Sequence, residues 1–152
     1  MTAGLLGGAS LLLLLAGAAK LADPSRTAGA LRALGWPSSP WLVRLGALVE
    51  LVLAAATLVI GGRVLALLVG ASYLGFALFV MSALRAKTPI ATCGCFAEPD
   101  TPPSPRHVLI DGLLALGAIA AAAGDGPSLL DASWPAWILA AAVASVGLAA
   151  LR

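Results

Sequence analysis

The sequence predicts an all-α, polytopic transmembrane helical bundle, with a four-helix core and a fifth C-terminal transmembrane helix, and three observations carry that prediction. Of 152 residues, 61% are hydrophobic and only 11% are charged, and the mean hydropathy is +1.01. A water-soluble domain ordinarily has about a quarter of its residues charged, so the polar surface here is too small to cover a globule in water. The apolar residues gather into five segments bounded by Gly, Pro or charge, the first three long enough to cross a hydrocarbon core as helices. None shows the alternating pattern of a barrel strand. Lipid tolerates no unpaired backbone, which leaves the helix.

The whole chain, 1–152, reads as one integral membrane domain with spans at about 3–22, 41–60, 64–84, 108–123 and 134–151. The first span carries Ala16-Gly17-Ala18, the small-residue signature of a leader-cleavage site, but no Lys or Arg precedes its apolar run, so it is expected to stay as a span. The connection 23–40 contains Ala28-Gly29-Ala30-Leu31-Arg32-Ala33-Leu34, a short interfacial helix ended by Gly35-Trp36-Pro37. Only 61–63 separates the second and third spans, which predicts an antiparallel hairpin. The long polar loop 85–107 carries Pro89, Pro99, Pro102, Pro103 and Pro105, which stiffen it without letting it become a helix. The last two spans are shorter and Ala-rich, and the acidic connection 124–133 joins them. Small residues four apart, at Gly4 and Gly8, Ala71 and Gly75, and Ala140 and Ala144, mark places where helices can approach closely.

Charge sets the expected orientation. Lys20, Arg26, Arg32, Arg44, Arg85, Lys87, Arg106 and Arg152 share one face of this topology, and Arg63 alone lies on the other. The positive-inside rule makes the basic face cytoplasmic, with the N-terminus out, the C-terminus in and loop 85–107 inside the cell. Trp36 and Trp41 then belt the inner interface, Trp134 and Trp137 the outer. The basic residues form no run interleaved with aromatics, so the partner is the lipid bilayer and not nucleic acid.

Two groups of ionisable residues fall in or beside the spans. Glu50 lies nine residues beyond Trp41, about 14 Å along a helix and near mid-membrane. It should face the interior, protonated or paired, with Lys20 and Arg44 as the available cations. It serves either as a proton-accepting or cofactor-contacting carboxylate or as a structural interhelical bond. His107 and Asp111, four apart, share a helix face, where the carboxylate can orient the imidazole; the alternative is a histidine in a helix start. Arg106 beside them can supply positive field.

Both cysteines sit in the long polar loop as Cys93-Gly94-Cys95-Phe96. A disulfide closed over one residue departs from preferred geometry and is easily reduced, and Gly94 relieves part of that strain. Such a pair suits exchange with another protein's thiols, tuned by Arg106, His107 or Asp111. Metal binding is one alternative, for which Cys93 and Cys95 would need His107, Glu98, Asp100 or a partner chain to complete three or four ligands, and a functionally inert pair is the other.

In combination, Lys20-Leu21-Ala22-Asp23-Pro24, Leu34-Gly35-Trp36-Pro37, Glu50, Cys93-Gly94-Cys95-Phe96 and Arg106 before an apolar span resemble the MauE branch of the DoxX-like membrane proteins. The resemblance covers roughly 1–125. Ala97 stands where the family usually has Gly, and His107 where Asn is common. The resemblance implies a redox-associated protein of the bacterial inner membrane that assists maturation of the disulfide-rich methylamine dehydrogenase small subunit, with a thioredoxin-like partner. It also implies a four-helix bundle similar to vitamin K epoxide reductase and bacterial disulfide-forming oxidases, with Cys93 and Cys95 shuttling between dithiol and disulfide and a quinone as electron acceptor. One cysteine pair stores two electrons on one side of the membrane, so a quinone, a metal or a partner must complete any circuit. The cytoplasm is reducing; either the pair takes electrons from a thioredoxin-type donor there, or the topology is inverted. The competing expectation is a non-enzymatic scaffold or metal-binding anchor for a partner redox enzyme.

Overall fold

The computed structural model describes residues 2–86 and 102–150, in six helices: α1 Thr2–Ala22, α2 Pro24–Ala33, α3 Pro40–Val59, α4 Arg63–Ala86, α5 Pro105–Ala123 and α6 Trp134–Ala150. There is no strand among the described residues. Four helices, α1, α3, α4 and α5, are long and apolar enough to cross a membrane. α6, with 17 residues, spans about 25 Å, the short end of what a bilayer core needs.

The first helix is the centre of the bundle. Leu6, Ala9, Leu12, Leu13 and Ala16 are all buried, and α3, α5 and α6 pack around them, while α4 lies chiefly against α5. Ala16 and Gly17, two of the three residues of the leader-like signature, are inside this core, while Ala18 is exposed; a Cβ on Gly17 would come 3.0 Å from the Ala47 carbonyl. The tight 61–63 connection does reverse the chain, but α3 and α4 touch only lightly. A groove lined by Val49, Val52, Leu65 and Leu68 runs between them. The hairpin is therefore one of connectivity, and the packing partner of α4 is α5.

Small residues explain why α6 docks where it does. A Cβ on Gly4 would lie 2.8 Å from Leu139 Cβ, and one on Gly8 would lie 2.6 Å from Val143 Cβ. Contacts that advance together, 4 with 139 and 8 with 143, make α1 and α6 parallel neighbours. Ala140, facing Gly8, is fully buried. By contrast, a Cβ on Gly75 would meet nothing within 4 Å, and Ala71 is exposed. That expected small-residue contact is not made among the described residues, because the spacing recurs on a face turned away from the other described helices.

The two ends of the bundle are built differently. At the end holding the 61–63 and 124–133 connections, turns interlock: the Leu129 and Leu130 amides donate to the Leu58 carbonyl at 3.1 and 3.3 Å, and Arg63 Nε donates to Ala122 O at 3.0 Å. Gly61, at φ +68°, admits no side chain, since a Cβ would sit 2.5 Å from Ser128 N. At the other end, α2 lies across the bundle. Asp23 caps it by accepting from the Ser25 amide at 3.1 Å, and Pro24 follows. The Ser25 hydroxyl and then Arg26, 3.0 Å away, hold the Asp23 carboxyl below the ordinary carboxylate range. The cap is therefore complete at neutral pH and lost only as pH falls through that lowered value. The helix ends where Gly35, at φ +72°, turns left-handed and the Trp36 amide returns to Leu31 O at 2.9 Å. Its inner face places Ala30, Leu31 and Leu34 against Phe79, Val80 and Ala83 of α4.

A girdle of exposed Leu, Val and Ile covers the outside, as lipid contact requires, and Trp41 and Trp134 are exposed at opposite ends of it. Among the described basic residues, Lys20, Arg26, Arg32, Arg44, Arg85 and Arg106 lie at the α2 end and Arg63 at the other.

Candidate functional site

Charge inside a membrane span must be paired or neutral, and the α2 end of the bundle obeys this at Lys20. Its Nζ lies 2.8 Å from both Glu50 carboxylate oxygens, linking α1 to α3 in a forked ion pair whose side chains are 7% and 15% exposed. The ammonium also sits 4.1 Å from the centroid of the Phe76 ring of α4, a cation–π contact that gains strength when desolvated. Three helices thus meet on one positive charge. Of the two cations available to Glu50, Lys20 is the partner, while Arg44 is exposed on the outer surface of α3.

The pair forms the floor of a cleft with room of about 250 Å³, walled by Leu31 of α2, Trp36 of the turn, Val43 and Gly46 of α3, and Phe76 and Phe79 of α4. Trp36 meets Phe79 edge-to-face at 5.8 Å. The two short motifs around Lys20 and Trp36 therefore have physical roles. One supplies the buried cation and the cap of α2; the other supplies the left-handed turn and an aromatic wall.

Deeper in the bundle, Tyr73 is completely buried and its hydroxyl donates to Ala9 O at 2.7 Å. Its ring packs edge-to-face on Phe76 at 5.7 Å. Asp111 of α5 is 1% exposed, and neither carboxylate oxygen has a hydrogen-bond partner among the described residues.

His107 is buried on the same face of α5 as Asp111, but the carboxylate does not hydrogen-bond the imidazole. Instead His107 Nδ1 lies 2.7 Å from the hydroxyl of Ser104, the residue that precedes the helix. A bond within the first turn is shorter-range than one across a full turn, and it fixes the ring at the helix start. Arg106, next to it, is exposed. Cys93, Cys95, Glu98 and Asp100 lie outside the described residues; among those described, no three His, Cys, Asp or Glu side chains converge to hold a metal.

Sequence reasoning missed Tyr73, Phe76, Trp36 and Ser104 as parts of this region. A signal existed for Tyr73, the only tyrosine: a hydroxyl in mid-span needs an acceptor. Nothing in sequence pairs Trp36 with Phe79.

Asp111 makes a clear prediction. A buried carboxyl without a partner costs about 1–3 kcal/mol, so Asp111→Val should raise thermal stability in detergent by an amount of that order. A fall in stability would show that the carboxyl is satisfied.

Four membrane-length helices, three of which meet on a buried ion pair, define a multi-pass helical membrane protein. Residues 2–124 match the model of the family described as "Methylamine utilisation protein MauE", and the chain belongs to that family. Membership points to a role in methylamine utilisation. No curated protein and no solved structure matches the chain. The match ends at the turn after α5, and α6, docked through Gly4 and Gly8, lies outside the matched residues.

Proposed function

We propose that this chain is a thiol–disulfide exchange component of the bacterial inner membrane, a single membrane domain whose Cys93–Cys95 pair exchanges electrons with a thioredoxin-like protein or a redox enzyme undergoing maturation. The observation that carries this reading is the spacing Cys93-Gly94-Cys95 in the connection between α4 and α5, in a chain with no other cysteine. The family's link to methylamine utilisation supports a methylamine dehydrogenase-type enzyme as the beneficiary. The basic residues at the α2 end favour that face as cytoplasmic, with the N-terminus outside.

The chemistry is a balanced exchange. A thiolate of the reduced pair attacks a partner disulfide, forming a mixed disulfide and releasing a partner thiolate. The second cysteine then displaces the partner, leaving a Cys93–Cys95 disulfide and a partner dithiol, with two electrons and two protons transferred. Run in reverse, the same steps oxidise the partner. His107 and Arg106, at the start of α5, would favour the thiolate, and Asp111, on the same helix face as His107, would hold a proton in transit between the pair and its partner.

Single variants test this through the intermediate. Cys93→Ser or Cys95→Ser should leave one unresolved thiol and accumulate a reductant-sensitive mixed disulfide with the partner, and the double variant should accumulate none. If neither single variant traps a partner and both support maturation at the wild-type level, the pair is a bystander.

A further inference from the structure

We infer that the seam between α3 and α4 binds one anionic phospholipid, with an acyl chain lying along the seam and the phosphate at the α2 end. Although only a short connection joins them, α3 and α4 touch lightly, and a continuous furrow separates them. Val49, Leu53 and Ala56 of α3 face Leu65, Leu68 and Ser72 of α4 across a groove with room of about 660 Å³. Nearer the α2 end, Leu42 and Gly46 of α3 and Phe76 and Phe79 of α4 line the cleft already described. Positions 42, 46, 49, 53 and 56, and likewise 65, 68, 72, 76 and 79, recur at intervals of three and four, so each set is one stripe along one helix face. Counted away from the connection, Ala56 is level with Leu65, Val49 with Ser72 and Leu42 with Phe79. The groove and the cleft are therefore two parts of one furrow, about 21 Å long.

An empty furrow facing lipid would forfeit dispersion contacts along its whole lining, so a hydrocarbon chain fills it. Because α3 and α4 still touch, the space between them takes a chain and not a further helix, whose axis stays about 8–10 Å from any neighbour. Charge then decides the headgroup. Arg26, Arg32, Arg44, Arg85 and Arg106 are exposed at the α2 end, and the one exposed carboxylate described there, Asp23, already pairs with Arg26. Arg32 and Arg44 have no ion-pair partner among the described residues, and each follows in sequence a residue that lines the cleft, Leu31 and Val43. The guanidinium fork matches phosphate, and clustered basic residues at a membrane surface attract anionic lipid. At the opposite end Asp125 and Asp131 are exposed together with Arg63, which leaves an anionic headgroup one end to occupy. Between phosphate and chain lie neutral ester carbonyls. The fork from Lys20 to the two Glu50 oxygens leaves one of the ammonium's three N–H groups to donate to such a carbonyl. Trp36 and Trp41, both exposed, set this level at the membrane interface.

The site is independent of the thiols, and so is its test. The purified full chain in an uncharged detergent is offered equimolar phosphatidylglycerol and phosphatidylethanolamine with the same acyl chains, and native mass spectrometry reads what it retains. One phosphatidylglycerol per chain is expected, preferred over phosphatidylethanolamine roughly tenfold. Arg32→Gln/Arg44→Gln should abolish the preference while one lipid is still retained. A Cβ on Gly46 would meet nothing within 4 Å, so Gly46→Leu fills the cleft without striking its neighbours, and Ser72→Phe fills the groove. Each should lower retention of both lipids severalfold with helicity and melting temperature kept, and Leu116→Phe, on the exposed face of α5, should not. Equal retention of the two headgroups, a preference that survives in Arg32→Gln/Arg44→Gln, or unchanged retention in both filled variants would each overturn the assignment. So would a lipid-free dimer, which would give the seam to a second copy of the chain.

Discussion

Lys20→Met is expected to destabilise the bundle by about 3–5 kcal/mol, the cost of leaving one member of a buried pair uncompensated. Glu50 would then be a buried carboxylate with its only ion-pair partner among the described residues gone, and Phe76 would lose the cation over its ring. Glu50→Gln should cost a similar amount for the converse reason. The double variant Lys20→Met/Glu50→Gln should recover most of either loss, because desolvating two charges offsets much of what their attraction contributes. Thermal unfolding in detergent, followed by helicity, reads all three. A loss below about 1 kcal/mol in both single variants is the value for a solvent-screened surface pair and would contradict the burial of this one.

The next largest effect is expected at Gly8. Replacing a helical glycine by alanine ordinarily gains up to about 1 kcal/mol from helix propensity. At Gly8 the added methyl would lie 2.6 Å from Val143 Cβ and 3.0 Å from Ala140 O, and overpacking of that kind costs about 1–3 kcal/mol. The cost outweighs the gain, so Gly8→Ala should be destabilising and should make α6 more sensitive to protease. Gly75→Ala, where a Cβ meets nothing within 4 Å, is the matched control and should be neutral or stabilising. Equal effects at the two positions would remove the case for α1–α6 packing through small residues.

These two sites also show what the sequence can and cannot convey. Apolar segments of membrane length specify helices, because lipid leaves the backbone no other way to satisfy itself. They do not specify neighbours. In a soluble helix the apolar stripe names the buried face, but Leu48 and Val52 of α3 face outward with the same chemistry that Leu53 turns inward. Hence the short 61–63 connection predicted a hairpin and could not reveal that α4 packs on α5. Gly4–Gly8 and Ala71–Gly75 look alike as four-residue repeats, yet only the first has a helix against it.

The candidate site divides along similar lines. Lys20 with Glu50 was legible because an unpaired charge in a span is prohibitively costly, which reduces the choice of partner to a few cations. His107 with Asp111 followed from helical spacing and was only half informative: both are buried on one face, but the imidazole bonds to Ser104 at the helix start. The aromatic wall was not legible, since Trp36, Phe76 and Phe79 come from a turn and one helix joined only through the tertiary fold. Cys93 and Cys95 are read from their spacing and from the family, and their chemistry is tested directly in solution.

That test is a redox titration of the purified chain in nanodiscs, quenched with a membrane-impermeant maleimide and read by mass. The account predicts that Cys93 and Cys95 pass together between two labelled thiols and none, at a midpoint well above the values below about −300 mV typical of structural disulfides. A pair that stays fully labelled, or never labels, across the whole titration would contradict it.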